Sequence, residues 1–224
     1  MATKRTYHDA CGTAHGLDLI GERWALLVVR ELLLGPKRYG QLRSDLPGIG
    51  TNVLAQRLSE LEASGVLRKI QLPPPAGTTA YELTDWGYEL EPVVRALTRW
   101  AVRSPDHDRT ANLSATSFLL SLRTFFDPDR TRGGVRGRYE LHMNGEVFRV
   151  VLQDGTLLVE RGTLEQPDAV VTGAPTALAR VIYGGHDPDE ATAAGEIRVD
   201  GDHASFARLP SAFSFPPPLT PAAP

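Results

Sequence analysis

Two carboxamides, Asn52 and Gln56, stand four residues apart, the spacing that stacks side chains on one face of a helix. A carboxamide offers a donor and an acceptor side by side, and so can pair in a bidentate manner with the major-groove edge of adenine. Arg57 flanks them, and Arg38, Tyr39, Arg43, Thr51, Arg68, Lys69 and Thr79 lie in the segments just before and after. Cationic and hydroxyl groups so placed suit phosphate oxygens, which fix register without reading sequence. A polar helix face beside arginines also describes an ordinary solvated surface, so the reading depends on the scaffold.

Cys11 is the single cysteine, with His8 and His15 near it in sequence. Positive charge lowers a thiol's pKa and produces the reactive thiolate, which makes Cys11 a redox candidate; its alternative is a small buried hydrophobe. Cys11 with His15 lacks a third orienting group, so it is a poor catalytic pair. One cysteine excludes an internal disulfide framework and any multi-cysteine zinc site. The remaining histidines are scattered, and Asp200, Asp202 and His203 form only a short cluster at a strand end. No metal, no cofactor and no enzyme activity are expected. The glycine-rich stretch 133–137 lacks the lysine and the strand-loop-helix setting of a phosphate loop and reads as a hinge.

The scaffold around Asn52 follows from periodicity. Leu17, Ile20, Trp24, Leu27 and Val28 recur at helical spacing up to Leu34, where Gly35-Pro36 ends the pattern. A short helix follows over 39–45, stopped by Pro47 and Gly48, and then a helix over 51–64 that Thr51 can cap. Leu54, Leu58 and Leu61 share one face of it, which turns Asn52, Gln56 and Ser59 outward. Two short strands, 66–70 and 79–83, flank a proline-rich tip at 73–77. The order helix, helix, hairpin predicts a winged helix-turn-helix, with a further helix over 85–101 carrying Leu90, Val94, Leu97 and Trp100.

Residues 104–115 are polar, contain Pro105, and separate two hydrophobic rhythms, so they read as a linker. Beyond it, alternating strands at 139–143 and 147–152 are joined by Asn144-Gly145, the strongest short hairpin signal, and Asp154-Gly155 leads into a third. Helices follow around 175–194, then a strand at 196–200 and a last helix. The prediction is an α+β domain over 116–213, behind a domain over 1–103, with an extended or disordered proline-rich tail at 214–224. The net charge of −3 divides unevenly: residues 1–103 hold 13 basic against 11 acidic side chains, and residues 104–224 hold 11 against 16. No apolar run approaches the roughly 18 residues of a membrane span, and the basic start lacks the apolar core of a secretory signal. A cytoplasmic location without membrane attachment is expected.

The run from Cys11 to Trp100 resembles the HxlR family of bacterial winged-helix regulators. The likeness rests on Cys11, the Ile20 to Trp24 core, Gly35 to Tyr39, Leu58 to Gly65, and Tyr81 to Thr84 leading into Gly87. It implies a homodimer that binds double-stranded operator DNA, built through the amino-terminal segment and the terminal helix, and in some members a thiol-based redox switch near Cys11. The second half resembles the sterol-carrier-protein-2-like domain in 139–152, Asp154-Gly155, Gly162, 166–168, 170–172, Gly184, 195–202 and Leu209. That resemblance implies an α+β sandwich enclosing an apolar tunnel, with Phe118, Leu122, Phe125, Tyr139, Phe148, Val150, Leu178, Ile182 and Phe206 as wall residues or as plain core. Arg136, Arg138 and Arg149 are either partners for an acidic group on such a ligand or exposed strand arginines. The combined expectation is a repressor tuned by a small hydrophobic effector. Its alternatives are a carrier or scavenger fused to an autoregulatory DNA-binding domain, a second domain that serves only as a dimerisation scaffold, and a redox regulator working through Cys11.

Overall fold

The computed structural model describes residues 6–74, 77–131 and 134–220, and the chain divides into two compact units, Met1–Val94 and Arg95–Pro224. The first unit begins with α1 (Gly12–Ile20), α2 (Ala25–Leu32), α3 (Tyr39–Asp45) and α4 (Thr51–Ala63). It continues with the hairpin β1 (Leu67–Gln71) and β2 (Thr79–Leu83), then α5 (Asp85–Tyr88) and the first turn of α6 (Glu91–Ala101). Its core is aliphatic: Val28, Val29 and Leu32 of α2 bury against Leu42 of α3, Leu54, Leu58 and Leu61 of α4, and Ala80 and Leu83 of β2. Each fully buried Leu or Val contributes about 1.5–3 kcal/mol relative to exposure.

Three features of this unit differ from the pattern in the sequence. The single helix expected from Leu17 to Leu34 is two helices, because Gly21 ends α1 and Trp24 opens α2 with φ of 80°. Leu17 and Leu27 are consequently exposed and not in the core. The expected helix over 85–101 is likewise broken into α5 and α6, with Pro92, which lacks an N–H, in the first turn of α6. Val94 of α6 is buried whereas Leu97 and Trp100 are exposed. Thr51 is the first residue of α4 and does not cap it: Gly50 holds the N-cap position. The hairpin tip lies partly outside the described residues, at 75–76.

Local chemistry explains the wing. Thr84 accepts from the Gly87 N–H at 3.1 Å to cap α5 and donates to the Gly65 carbonyl at 2.7 Å. Gly87 lies against the Val66 carbonyl so closely that a Cβ there would fall 2.1 Å from its oxygen. Both contacts seat α5 on the base of the hairpin. β1 and β2 pair antiparallel from Leu67↔Leu83 to Gln71↔Thr79, and Lys37 adds a single bridge to Tyr81 beyond β2.

The second unit contains α7 (Ala115–Phe125), α8 (Pro128–Thr131), β3 (Gly137–Met143), β4 (Glu146–Gln153), β5 (Thr156–Arg161) and β6 (Ala169–Gly173). After these come α9 (Pro175–Tyr183), α10 (Pro188–Ala193), β7 (Ile197–Gly201), α11 (His203–Arg208) and one 3₁₀ turn, Leu209–Ala212. The five strands run in the order β5-β4-β3-β6-β7, all neighbours antiparallel except β3 and β6. Asn144 and Gly145 both take positive φ, 51° and 78°, the pairing that a two-residue hairpin turn of matching twist requires. Alternate residues Tyr139, Leu141 and Met143 of β3 and Phe148, Val150 and Leu152 of β4 are buried, with Phe118, Leu119 and Leu122 of α7 and Phe206 of α11. The unit is α+β.

The division between units falls within α6, whereas the polarity of the sequence had suggested 103. Arg95 donates to the Arg123 carbonyl, and Arg99 to that of Thr124 at 2.7 Å, so the second half of α6 belongs with the end of α7. The tail expected to be loose is held at several points. The Ser214 N–H donates to the Phe125 carbonyl at 2.8 Å, Leu219 N–H reaches the Arg103 carbonyl at 2.7 Å, and the Phe215 ring packs 4.6 Å from that of Phe125. The glycine-rich hinge at 133–137 lies partly outside the described residues.

Candidate functional site

On α4 the buried row Leu54, Leu58 and Leu61 leaves Asn52, Gln56 and Ser59 on the exposed side. Asn52 occupies the first turn, where an inserted helix approaches base edges most closely. Gln56 Nε2 donates to Glu60 Oε1 at 2.9 Å, an i,i+4 contact that base pairing would have to replace. Tyr39, at the start of α3, donates its hydroxyl proton to the Thr51 carbonyl at 2.8 Å and so braces one helix against the beginning of the next.

Arg57 is not on the exposed face. Its guanidinium lies 2.6 Å from Glu60 and 3.5 Å from Glu22, and its side chain is 8% exposed. At about 100° per residue, position 57 falls on the border of the leucine row, where an arginine is kept only if its charge is paired. Arg38 and Arg43 are exposed on and beside α3, with Arg38 Nε 3.2 Å from Gln41 Oε1. On the wing, Arg68 meets its cross-strand neighbour Glu82 at 2.7 Å. Lys69, on the opposite side of β1, meets Glu62 of α4 at 2.8 Å, and that carboxylate holds its pKa above the ordinary value. Thr79 accepts from Gln71 Nε2 at 2.9 Å.

Sequence reasoning missed the most deeply buried charges of this unit. Lys37 is wholly enclosed, its ammonium 2.7 Å from Glu31 Oε2 and 2.6 Å from Asp45 Oδ2, and Arg30 meets the other Glu31 oxygen at 2.7 Å. A signal was present: Glu31 interrupts the apolar run from Leu27 to Leu34, and an acid at a core position calls for a buried cation.

Cys11 is exposed at the N-cap position of α1. Its thiol is held below the ordinary value by the backbone amides of Thr13 and Ala14 and then the Thr13 hydroxyl. The cause is the start of a helix and not His8 or His15. Among the described residues no group of three or more His, Cys, Asp and Glu side chains could hold a metal ion. Asp200 pairs with Arg198, and Asp202 caps α11 through the Ser205 N–H.

The nine apolar candidates of the second unit are all buried. Tyr139 and Phe206 stand 6.0 Å apart, and the Tyr139 hydroxyl meets Ser205 Oγ at 3.0 Å. Phe125 belongs to a second aromatic group with Tyr183 and Phe215, ring centres 4.6 to 5.8 Å apart. Tyr183 and Phe215 were missed; the alternation of Phe213 and Phe215 just before the prolines was the available sign. Arg149 pairs with Glu160 at 2.5 Å, so it is engaged across strands, while Arg138 is exposed.

Two known families match parts of the chain. Residues 19–109 match the HxlR-like helix-turn-helix family, and residues 106–219 match the alkyl sulfatase C-terminal family. Among curated relatives, the uncharacterized HTH-type transcriptional regulator YvaP of Bacillus subtilis is 35% identical over 85 residues, 38% of this chain and 79% of its own length. The uncharacterized HTH-type transcriptional regulator sll1512 of Synechocystis is 39% identical over 87 residues, 39% of this chain and 64% of its own length. A solved structure of the redox regulator HypR in its oxidized form is 30% identical and covers 43% of this chain and 100% of its own, with a TM-score of 0.40. These relatives are regulators and not enzymes, as the sequence reading expected, and they account for less than half of the chain. Among the described residues no helix is long and apolar enough to cross a membrane. The chain belongs to the HxlR-like helix-turn-helix transcriptional regulators, with residues 106–219 belonging to the alkyl sulfatase C-terminal family.

Proposed function

We propose that the chain is a cytoplasmic, homodimeric repressor whose α4 reads operator DNA and whose second unit, a sterol-carrier-like domain, holds a small hydrophobic effector. The observation that carries the DNA-binding part is the outward face of α4: Asn52 and Gln56 stand over a buried leucine row, and Arg38 and Arg43 at α3 and Arg68 and Lys69 on the wing are exposed. Carboxamides supply base readout and the cations grip phosphate. The dimer is supported by α6, where Val93, Leu97 and Trp100 form an exposed apolar stripe at helical spacing, Trp100 being 75% exposed. The effector reading is supported by the buried apolar residues Tyr139, Phe148 and Val150 of β3 and β4, the Tyr139 ring standing 6.0 Å from that of Phe206 on α11. The matching family takes its name from the C-terminal part of alkyl sulfatases, and an apolar ligand agrees with that name. A ligand acts here only by binding one state of the dimer better than the other.

The test is selection of duplexes from a random library by the purified dimer, followed by titration of the winning sequence with wild type and Asn52→Ala. Wild type is expected to prefer the selected duplex over a scrambled one, and Asn52→Ala to lose roughly tenfold of that preference. Absence of any enriched sequence overturns the reading. Native mass spectrometry of protein purified from its host reads subunit number and retained small molecules in the same sample, and a monomer free of ligand removes the dimer and effector parts.

A second reading is favoured by the exposed, acid-shifted thiol of Cys11. Oxidation there joins Cys11 of two subunits in a disulfide, diamide taking up the two electrons and two protons; it is the switch if diamide treatment releases the selected duplex from wild type but not from Cys11→Ser, and equal release from both, or from neither, removes it.

A further inference from the structure

We propose that Lys37 is the positioning centre of the DNA-reading surface, its buried ammonium tying α2 to the end of α3 and its backbone tying that joint to the wing, in the one arrangement in which α4 and the wing meet a duplex together. The proposal rests on the DNA-binding reading above. Lys37 is joined to three elements at once. Its side chain, 0% exposed, reaches Glu31 on α2 at 2.7 Å and Asp45, the last residue of α3, at 2.6 Å. Its backbone closes a two-way bridge with Tyr81 of β2, N–H to carbonyl at 3.0 Å and carbonyl to N–H at 2.9 Å. Asp45 stands just before the turn that leads to Gly50 and the exposed residues of α4, so moving the end of α3 moves the reading helix.

The physical reason for ions here is directional. Burying an ammonium and a carboxylate carries a heavy desolvation penalty before their attraction offsets it, and apolar side chains of similar volume commonly hold a fold as well or better. Apolar packing, however, tolerates small slides of one helix over another. An ammonium forked between two carboxylates on different elements does not, because each slide leaves a buried charge unpaired. Base readout needs side chains placed to within about 0.5 Å, a demand that stability alone does not make.

The experiment compares wild type with the triple variant Glu31→Leu, Lys37→Met, Asp45→Leu, which replaces the cluster by apolar side chains, and with the single variant Asp45→Asn. Affinities for the duplex selected by wild type and for its scrambled counterpart are read by fluorescence anisotropy, with a melting curve for each protein. The triple variant is expected to melt at or above the wild-type temperature, to keep its affinity for the scrambled duplex, and to lose about tenfold or more of its preference for the selected one. Asp45→Asn is expected to lose part of that preference with an unchanged salt slope, since no phosphate contact is removed. A retained preference in a normally melting variant overturns the proposal, and if the triple variant does not fold, Asp45→Asn alone decides. Wild type that shows no preference for any duplex removes the DNA-binding reading itself, an outcome distinct from either of these.

Discussion

The Arg57 guanidinium lies 2.6 Å from the Glu60 carboxylate, one turn further along α4, and its charge is turned inward from the face that carries Asn52 and Gln56. The pair separates two roles for arginine in this unit. Arg43 is exposed and unburdened by packing, whereas Arg57 is part of the wall between α4 and the Glu22 turn. Arg43→Ala is expected to reduce the slope of log affinity against log salt by about one, the signature of a lost phosphate contact. Arg57→Ala is expected to leave the slope alone and lower the stability to urea by about 1–2 kcal/mol through lost packing and pairing. A slope loss of about one in Arg57→Ala would return that side chain to the DNA surface.

Trp24 occupies a left-handed backbone conformation, φ 80°, at the N-cap of α2, with the Arg23 guanidinium 5.5 Å above its ring. A non-glycine residue pays roughly 1–2 kcal/mol for that conformation, which glycine does not. Trp24→Ala loses the ring and keeps the strain; Trp24→Gly loses the ring and relieves it. Urea unfolding is expected to find Trp24→Gly the more stable of the two by about 1 kcal/mol, and the reverse order would mean that the turn is not held as described.

At the β3-β4 turn a glycine already holds the left-handed position. Gly145, φ 78°, has open space around it, so an added methyl group clashes with nothing and acts only through backbone preference. Gly145→Ala is expected to cost about 1 kcal/mol in thermal or urea unfolding of the full chain. A neutral result would show that the hairpin can change its turn type without loss.

Glu140 is buried on β3, where one carboxylate oxygen meets His142 Nε2 at 2.7 Å and the other accepts the Leu164 N–H at 2.8 Å. First His142 and then the Leu164 amide hold its pKa below the ordinary carboxylate value. Because the folded value is the lower one, the stabilisation is complete above the unfolded carboxylate pKa and is lost as pH falls through the folded one. Glu140→Gln is expected to be less stable than wild type by about 1 kcal/mol at neutral pH, with the gap closing under acid conditions. Urea midpoints measured from neutral to acid pH check this, and a gap that persists in acid would assign the loss to packing.

Periodicity was sufficient for the parts of the fold in which one residue's neighbours in sequence decide its surroundings. The leucine row of α4, the wing strands and the Asn144-Gly145 hairpin were legible because a helix repeat or a turn dipeptide is a local signal. The break between α1 and α2 was not, since the apolar spacing from Leu17 to Val28 continues across Gly21 and Trp24 while the backbone reverses hand at Trp24. The site divides in the same way. That Asn52 and Gln56 face outward followed from angle alone, but the inward turn of Arg57 depends on Glu22, thirty-five positions earlier in the chain and visible only after folding. The partners of Lys37 were hidden for a different reason: their charges sit in segments that read as apolar helix, loop and polar helix, and nothing in spacing links the three.

The parallel pairing of β3 with β6 sets an order of assembly for the second unit. β3, β4 and β5 are joined by two tight turns and can zip from each one outward, as hairpins do on the microsecond scale. Tyr139 meets Ala169 only after the whole of β4, β5 and the following loop has been looped out, and β7 then needs β6 in place before it has an edge to join. Loop closure over that distance is an entropic barrier that local contacts do not repay. Until it is crossed, one edge of β3 stands open, and during synthesis that edge is the place where two nascent copies would pair wrongly with each other.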